Sequence, residues 1–422
     1  MANLNFEPGD EVRMRLARGE LDGRILETSE SGIWLVKLKT GYNIGIPKEN
    51  VLAGRVLKKF RAEETEKSLP KKKKGKKTIG LIVTGGTIAS KFDSKTGGAK
   101  HLTDVKELAK FYPELFEMVN VEVRNPFMIA SESMDHGHWK VIAEECEKML
   151  NDEKINGIII THGTDFLHYT AAALSFFLRK LNKPVVLTYS QRSIDRASSD
   201  ANLNLQCAAE FALSDCAEVV LVGHADSNDD YCYAMRGTKV KKLHSSMRGA
   251  FKPVNSGPLA KVKPGKIEFL ESYNSRNNEK VELDSSFSDK VALVKFYPGQ
   301  SPEVLDHYAL KCKGVVIEGS GLGHVPIEDN SWLGKIKKLI KEGFVVCMTT
   351  QCQNGRVDPF VYSNGRLLKE AGVIFLEDML SETAFVKLGW VLGHHGWKGK
   401  VEEKMLENFA GEIGDCLRYD ED

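Results

Sequence analysis

Two short β-branched apolar runs, each followed by a motif of glycine and threonine, place the strongest constraint on how this chain folds. The first run covers residues 79–83 and leads into TGGT at 84–87, and the second covers residues 158–160 and leads into THGTD at 161–165. A helix-like segment follows each motif. In an open parallel α/β sheet, ligands bind at the carboxyl ends of the strands. The sequence therefore predicts that the two motifs meet at one edge of a parallel sheet.

The two motifs carry the groups that acyl transfer needs. Gly86 and Gly163 permit tight turns and a close approach of backbone N–H groups to a small anionic substrate. Thr87, Thr164 and Asp165 add two hydroxyls and a carboxylate, which are parts of a nucleophilic site. A TGGT motif alone is more often a phosphate-binding or purely structural turn. It is the pairing with THGTD that favours catalysis.

Composition restricts the class of protein. The 422 residues suffice for two or three domains, and 42% apolar with 28% charged residues is ordinary for a globular chain. The net charge of +1 creates no general attraction for nucleic acid. No apolar run reaches the roughly 18–20 residues of a membrane helix, and the N-terminus has no signal-peptide pattern. The eight cysteines include no CxxC pair and are typical of reduced thiols, so we expect a cytoplasmic protein without a metal site.

The chain divides into five parts by its pattern. Alternating polar and apolar residues with short turns predict a small N-terminal all-β barrel at 1–60, and a highly charged run predicts a linker at 61–77. From residue 78 strands alternate with helices, which predicts an α/β fold of two units, with parallel sheets and helices on both faces. The larger unit is expected at 78–273, a linker at 274–289, and a smaller unit with a tail at 290–422.

The parts outside the α/β units have several interpretations. The β module offers no paired catalytic groups, so it is either a docking or RNA-contacting module or a stabilising appendage. Six lysines within residues 71–77 fit a solvated tether as well as contact with RNA phosphates. Within the larger unit we expect a helix at 169–181 and only a strand or two between 253 and 289.

The motifs TGGTIA at 84–89 and THGTD at 161–165 resemble the signatures of the type I/II L-asparaginase family. The similarity covers about residues 79–395. It implies a two-domain asparaginase-like fold and an amide hydrolysis that passes through a threonine ester. Thr87 is then the nucleophile, and backbone N–H groups near Thr87 and Thr164 form the oxyanion hole.

The resemblance also implies a catalytic lysine. In the family, this lysine follows an arginine-glycine pair, six residues after the arginine and nine before a phenylalanine. With Arg236 and Phe251 as the two markers, that register selects Lys242 rather than Lys239 or Lys241. Without the register, the lysines are more typical of a solvated basic strip.

Lys242 supplies the base that a threonine nucleophile requires, because an alcohol reacts poorly until its proton is removed. A lysine held beside Asp165 in a desolvated site can take that role, with Thr164 relaying the proton. His162 is the other nearby base, but its place inside the turn favours a buried structural residue.

Residues for holding the substrate follow from the same resemblance. The stretch SESMD at 131–135 is similar to the family's substrate-binding Ser-Gln turn. It implies that Ser131 and Glu132 bind the charged groups of the amino-acid substrate, with Asp165 near the α-ammonium group. Ser131 and Glu132 also fit a helix N-cap followed by a first-turn acid.

One segment departs from the family. Free asparaginases carry a tyrosine on a mobile lid beyond the nucleophile, whereas residues 93–100 contain none. We therefore do not expect fast hydrolysis of free asparagine. Together with the β module, the lysine tether and the tail at 405–413, this makes the chain similar to the asparaginase-like subunits of tRNA-dependent amidotransferases.

That closer resemblance implies a substrate and partners. Glutamine is the expected substrate, and its ammonia passes to a partner, the amidotransferase E subunit, in an α2β2 heteromer. The partner is expected to bind Glu-tRNA(Gln) and to use ATP and Mg²⁺. The present chain has no P-loop motif, so we expect no cofactor in it.

Three functions are compatible with the sequence: a subunit of an amidotransferase, a free L-asparaginase or glutaminase with an accessory N-terminal module, and a non-catalytic amino-acid sensor or RNA-docking protein. The module, the tail and the missing tyrosine disfavour the second. The joint presence of Thr87, Thr164, Asp165 and Lys242 disfavours the third, because an inactive site usually loses at least one such residue.

Overall fold

The N-terminal module is all-β, as predicted. The structure, a computed structural model, describes residues 5–26, 32–38, 43–60, 75–92, 99–101, 105–194, 199–328 and 331–416. The strands of the module are β1 (Glu11–Leu16), β2 (Gly19–Leu26), β3 (Ile33–Leu38), β4 (Asn43–Pro47) and β5 (Val51–Lys58). They form an antiparallel sheet in the order β4-β3-β2-β1-β5. Alternate residues such as Val12 and Met14 point into a small core that belongs to this module.

The larger α/β unit is built on an eight-stranded sheet. Its strands and the short pairs beside it are β6 (Thr78–Val83), β7 (Ser90–Phe92), β8 (Ala99–His101), β9 (Asn120–Arg124), β10 (Ile155–Thr161), β11 (Leu178–Arg179), β12 (Val185–Thr188), β13 (Val219–His224), β14 (Cys232–Arg236), β15 (Val240–Lys242), β16 (Phe251–Pro253), β17 (Ala260–Lys263), β18 (Lys266–Phe269) and β19 (Glu282–Leu283). The strands β9-β6-β10-β12-β13 are parallel neighbours, and β14, β17 and β18 extend the sheet antiparallel.

Helices cover both faces of this sheet, as predicted. They are α1 (Val105–Phe111), α2 (Pro113–Met118), α3 (His136–Leu150), α4 (Leu167–Phe177) and α5 (Ala201–Ala212). Because successive strand residues point to opposite faces, Ile158 and Ile160 pack with residues of α3 and α4, while Ile159 packs with residues of α1, α2 and α5. The continuous isoleucine run therefore reflects burial on both sides.

Two local expectations for the larger unit need correction. The helix expected at 169–181 ends at Phe177, because Leu178 and Arg179 turn into the short strand β11 and pair with β19. The segment 253–289 holds three strands, β17, β18 and β19, where a strand or two was expected. In the first case the pairing partner lies about a hundred residues away along the chain, so no local pattern could reveal it.

The smaller unit has a four-stranded parallel sheet. Its strands are β20 (Val291–Lys295), β21 (Gly314–Gly319), β22 (Val345–Thr350) and β23 (Ile374–Phe375), and its helices are α6 (Val304–Ala309), α7 (Ser331–Lys341), α8 (Ser363–Glu370), α9 (Ser381–Gly393) and α10 (Val401–Leu406). Helix α9 packs against α4 of the larger unit, where the rings of Phe176 and Trp390 stack at 5.5 Å between centroids. The two α/β units thus share one hydrophobic core.

Within the residues that the structure describes, no helix is long and apolar enough to cross a membrane. Across those same ranges, no group of three or more His, Cys, Asp or Glu side chains is arranged to hold a metal ion.

Candidate active site

The TGGT loop leaves the carboxyl end of β6 and is bonded at once to the neighbouring strand end. Thr84 is buried, and both its N–H and its Oγ1 donate to the carbonyl oxygen of Thr161, at 3.2 Å and 2.9 Å. On its other side, the carbonyl of Thr84 accepts from the N–H of Ile129 at 3.1 Å. The loop is therefore fixed between the two chain segments that carry the other site motifs.

Gly86 lets the two motifs touch. Its φ is +82°, and a Cβ atom at this position would lie 2.4 Å from the carbonyl oxygen of His162 and 2.6 Å from the nitrogen of Gly163. No larger side chain fits such a contact. The half-buried Thr87 follows directly and begins a single 3-10 turn over Thr87–Ala89. The backbone contact thus places the predicted nucleophile beside the THGTD turn.

Lys242 reaches the THGTD turn from β15. Its Nζ donates to Thr164 Oγ1 at 2.8 Å and pairs with Asp165 Oδ1 at 2.7 Å. The Lys242 side chain is 10% exposed, while that of Asp165 is 59% exposed. The structure therefore brings together three of the predicted catalytic side chains, with one cation between a hydroxyl and a carboxylate.

The neighbouring lysines point elsewhere. Lys239 Nζ pairs with Asp378 Oδ2 at 2.7 Å, and Lys241 Nζ pairs with Glu382 Oε1, also at 2.7 Å. Both carboxylates belong to the smaller unit: Asp378 lies three residues before the start of α9, and Glu382 lies in its first turn. Sequence analysis singled out neither carboxylate, because more than 130 residues separate them from the lysines and no local spacing marks the contact.

His162 is buried inside the turn. Its Nδ1 lies 2.7 Å from the carbonyl oxygen of Gly163 and must donate to it, while its Nε2 accepts from Thr170 Oγ1 at 2.9 Å. Burial lowers the pKa of His162 from 6.5 to about 4. Burial likewise lowers the pKa of His168 to about 4. Both rings are therefore neutral at pH 7, and both ring nitrogens of His162 are engaged in hydrogen bonds.

Ser131 lies under the THGTD turn. Its Oγ accepts from the N–H of Phe166 at 3.4 Å, and it would lie 2.9 Å from a Cβ placed on Gly163. Ser131 and Glu132 belong to a 3-10 turn (Ser131–Ser133), and Asp135, not Ser131, caps the following helix α3. The alternative role of Ser131 as an N-cap is thus wrong.

An open groove of about 380 Å³ borders Ser131 and Glu132. Its other walls are mainly apolar and include Trp139, Tyr169 and Phe385. Glu132 is exposed, so its carboxylate is accessible to a small cation such as an α-ammonium group. The lid segment at 93–100, which lacks the family's tyrosine, falls almost entirely outside the described residues.

The chemistry available at this site is that of a hydroxyl activated by an amine. Thr164 Oγ1 accepts from Lys242, so its own hydrogen is free to point toward another acceptor. The backbones of Gly86 and Gly163 meet here, and backbone N–H groups in such turns suit an oxyanion.

Comparison with known proteins agrees with the fold. Residues 78–274 match the family model for the N-terminal part of asparaginase, and residues 290–405 match the glutaminase/asparaginase C-terminal domain. The solved structure of the thermostable L-asparaginase from Thermococcus kodakarensis superposes with a TM-score of 0.73 and 33% sequence identity, covering 80% of this chain and 100% of that chain.

Two relatives match this chain over nearly its whole length. The D subunit of the glutamyl-tRNA(Gln) amidotransferase from Thermococcus kodakarensis is 47% identical over 425 residues, covering 98% of this chain and 96% of the relative. The corresponding D subunit from Pyrococcus abyssi is 48% identical over 428 residues, covering 99% and 97%. The chain therefore belongs to the family of glutamyl-tRNA(Gln) amidotransferase D subunits, and its two α/β units have the asparaginase fold.

Proposed function

We propose that this chain is the glutaminase subunit of a tRNA-dependent amidotransferase. It releases ammonia from glutamine, and the ammonia converts Glu-tRNA(Gln) to Gln-tRNA(Gln). The observation that carries the proposal is the position of Lys242, whose Nζ lies 2.8 Å from Thr164 Oγ1 and 2.7 Å from Asp165 Oδ1. This contact supplies a base and a relay beside the turn that carries Thr87.

The reaction has two halves. In the first, Lys242 acts as the free amine: it accepts the hydrogen of Thr164 Oγ1 while Thr164 Oγ1 accepts that of Thr87, and Thr87 Oγ attacks the side-chain amide carbon of glutamine. Backbone N–H groups near Thr87 and Thr164 hold the negative oxygen, then the C–N bond breaks and the nitrogen leaves as ammonia with the transferred proton. In the second half, water cleaves the glutamyl ester, which yields glutamate and free Thr87.

Binding of glutamine uses the residues around the groove. Ser131 and Glu132 meet the charged groups of the amino acid, and Asp165 meets its α-ammonium group while pairing with Lys242. The contact distances around Gly86 and Gly163, both below 3 Å for an added Cβ, support the role of these glycines in bringing backbone N–H groups to the substrate.

Coverage by the relatives favours the amidotransferase over a free asparaginase. The solved L-asparaginase accounts for 80% of this chain, whereas the amidotransferase D subunits account for 98% and 99%. The part without a counterpart in that asparaginase is thus shared with the amidotransferase subunits. This supports a function that requires more than amide hydrolysis alone.

The proposal extends to partners and location. The amidotransferase E subunit is the expected partner in an α2β2 heteromer, and ATP, Mg²⁺ and Glu-tRNA(Gln) are used there, since an amidotransferase must activate the glutamate before ammonia attacks it. All eight cysteines are free thiols, which suits the reducing cytoplasm.

The ester intermediate provides the test. The protein reacts with glutamine in the complete amidotransferase reaction and is denatured with acid during turnover. It is then digested with a protease, and the masses of the peptides are measured by mass spectrometry. We expect a glutamyl group on the peptide that contains Thr87, and none in Thr87→Ala. A glutamyl group on the Thr164 peptide, or an ester formed from asparagine alone, would contradict the proposal.

A further inference from the structure

The three lysines at 239–242 contact two different parts of the molecule, because side chains alternate in direction along a strand. β15 is extended and pairs with β16, and side chains in a strand alternate between opposite faces. Lys239 and Lys241 contact the smaller unit, through Asp378 and Glu382, while Lys242 contacts the THGTD turn. The strand thus links the smaller unit to Lys242, the residue proposed as the catalytic base.

The pair of Lys239 and Asp378 is almost completely buried. The two side chains are 2% and 1% exposed, and Nζ lies 2.7 Å from Oδ2 and 3.3 Å from the carbonyl oxygen of Asp378. The other carboxylate oxygen accepts from the N–H of Gly414 at 2.9 Å. Burial lowers the pKa of Lys239, and the charge of Asp378 opposes that shift. Separating the two side chains would leave a buried charge without its partner, which costs much free energy. The ion pair therefore fixes the position of Lys239 relative to Asp378.

Neutral hydrogen bonds secure both ends of the same hairpin. Thr383 Oγ1 donates to the carbonyl oxygen of Thr238 at 2.9 Å, just before β15. Asn255 Nδ2 donates to the carbonyl oxygen of Asp378 at 2.8 Å, just after β16. The β15–β16 hairpin is therefore attached at both ends to the segment that enters α9.

The attachment point is close enough to control the base. Lys239 precedes Lys242 by three residues, which is about 10 Å of extended chain. A displacement of about 1 Å at a reacting group can reduce the rate about 100-fold. A shift of the hairpin would withdraw Nζ of Lys242 from both Thr164 and Asp165.

We propose that Lys239 and Asp378 are positioning residues, whose buried ion pair holds Lys242 against Thr164 and Asp165. The inference rests on the proposed function, since it assigns Lys242 the role of base. The pair itself touches no substrate, so its effect is confined to the placement of β15. The smaller unit thereby contributes to catalysis through a contact that the local sequence does not reveal.

The test measures kcat and KM in the complete amidotransferase, on whichever amide, glutamine or asparagine, the wild-type chain hydrolyses. Asp378→Asn should lower kcat by about 100-fold with a much smaller change in KM, and Asp378→Glu should recover part of the loss. The matched control is Asp284→Asn, which removes the charge from a 2.7 Å contact with His394 at the opposite end of α9 and should leave both constants unchanged.

A second variant separates positioning from folding. Lys239→Met combined with Asp378→Leu removes both charges and leaves none unpaired, so the melting temperature should stay near that of the wild type while kcat stays low. Wild-type kcat in Asp378→Asn, or in the folded double variant, would overturn the inference. A wild type that hydrolyses asparagine alone would contradict the proposed substrate, and the same variants then decide the role of the pair on that amide.

Discussion

At the scale of single residues, Lys242 is expected to matter most for the rate, because it is the one lysine of the 239–242 cluster that contacts the THGTD turn. Lys242→Met keeps the length of the side chain but removes the base. We expect kcat to fall by about 100-fold or more, measured as ammonia release in the complete amidotransferase.

Lys263→Met is the control for this substitution. Lys263 is an exposed residue of β17, outside the site, and its replacement should not change the rate. If Lys242→Met kept more than a tenth of the wild-type kcat, the assignment of Lys242 as the base would be wrong.

The burial of His162 makes the free energy of unfolding depend on pH. Its pKa in the folded protein is about 4, lowered by burial from 6.5. Between these two pH values the unfolded chain protonates this histidine more readily than the folded protein does. The free energy of unfolding is therefore at its full value above pH 6.5 and decreases as the pH falls toward 4. The difference corresponds to about 3 kcal/mol for this one histidine.

Two measurements check this prediction. Urea unfolding should give a free energy of unfolding that decreases between pH 6.5 and pH 4. The NMR signal of the His162 ring should titrate near pH 4, and titration near pH 6.5 would show that the ring is not held neutral by burial.

At the scale of elements, the contact between the TGGT loop and the THGTD turn should fail when a methyl group is added to Gly86. The φ of +82° and the 2.4 Å approach to the carbonyl oxygen of His162 both oppose alanine there. Gly265 offers a matched control, because its φ is +78° and nothing lies within 4 Å of an added Cβ.

Each of these alanine substitutions should cost about 1 kcal/mol or more in the free energy of unfolding from the positive φ alone, measured by urea denaturation. Gly86→Ala should also lose most of its amide hydrolysis, whereas Gly265→Ala should keep it. Equal activity in the two variants would mean that the close approach of the motifs is not needed.

The elements also show which parts of the structure a sequence can reveal. The runs at 79–83 and 158–160 predicted β6 and β10, because β-branched residues buried on both faces leave a recognisable pattern. The end of α4 at Phe177 could not be predicted, since it depends on pairing between β11 and β19. The contacts of Lys239 and Lys241 with Asp378 and Glu382 could not be predicted for the same reason, because contacts between distant parts of the chain produce no recognisable local sequence pattern.

At the scale of the whole molecule, the α/β architecture with an all-β module before it was predictable from period and turn residues. The role of Lys242 as the base was not predictable in this way. The lysines alone are typical of a solvated strip, and only the resemblance to asparaginases supplied the spacing that selects Lys242. A strand or two was expected after residue 253, where β17 and β18 lie, but β14 and the antiparallel pairing of this edge were not predicted.

The most direct measurement is ammonia release from glutamine and from asparagine, by the purified chain alone and with the E subunit, ATP, Mg²⁺ and Glu-tRNA(Gln). The amidotransferase account predicts little release by the chain alone and glutamine hydrolysis that is switched on in the full mixture. Rapid asparagine hydrolysis by the lone chain, unchanged by the other components, would contradict it.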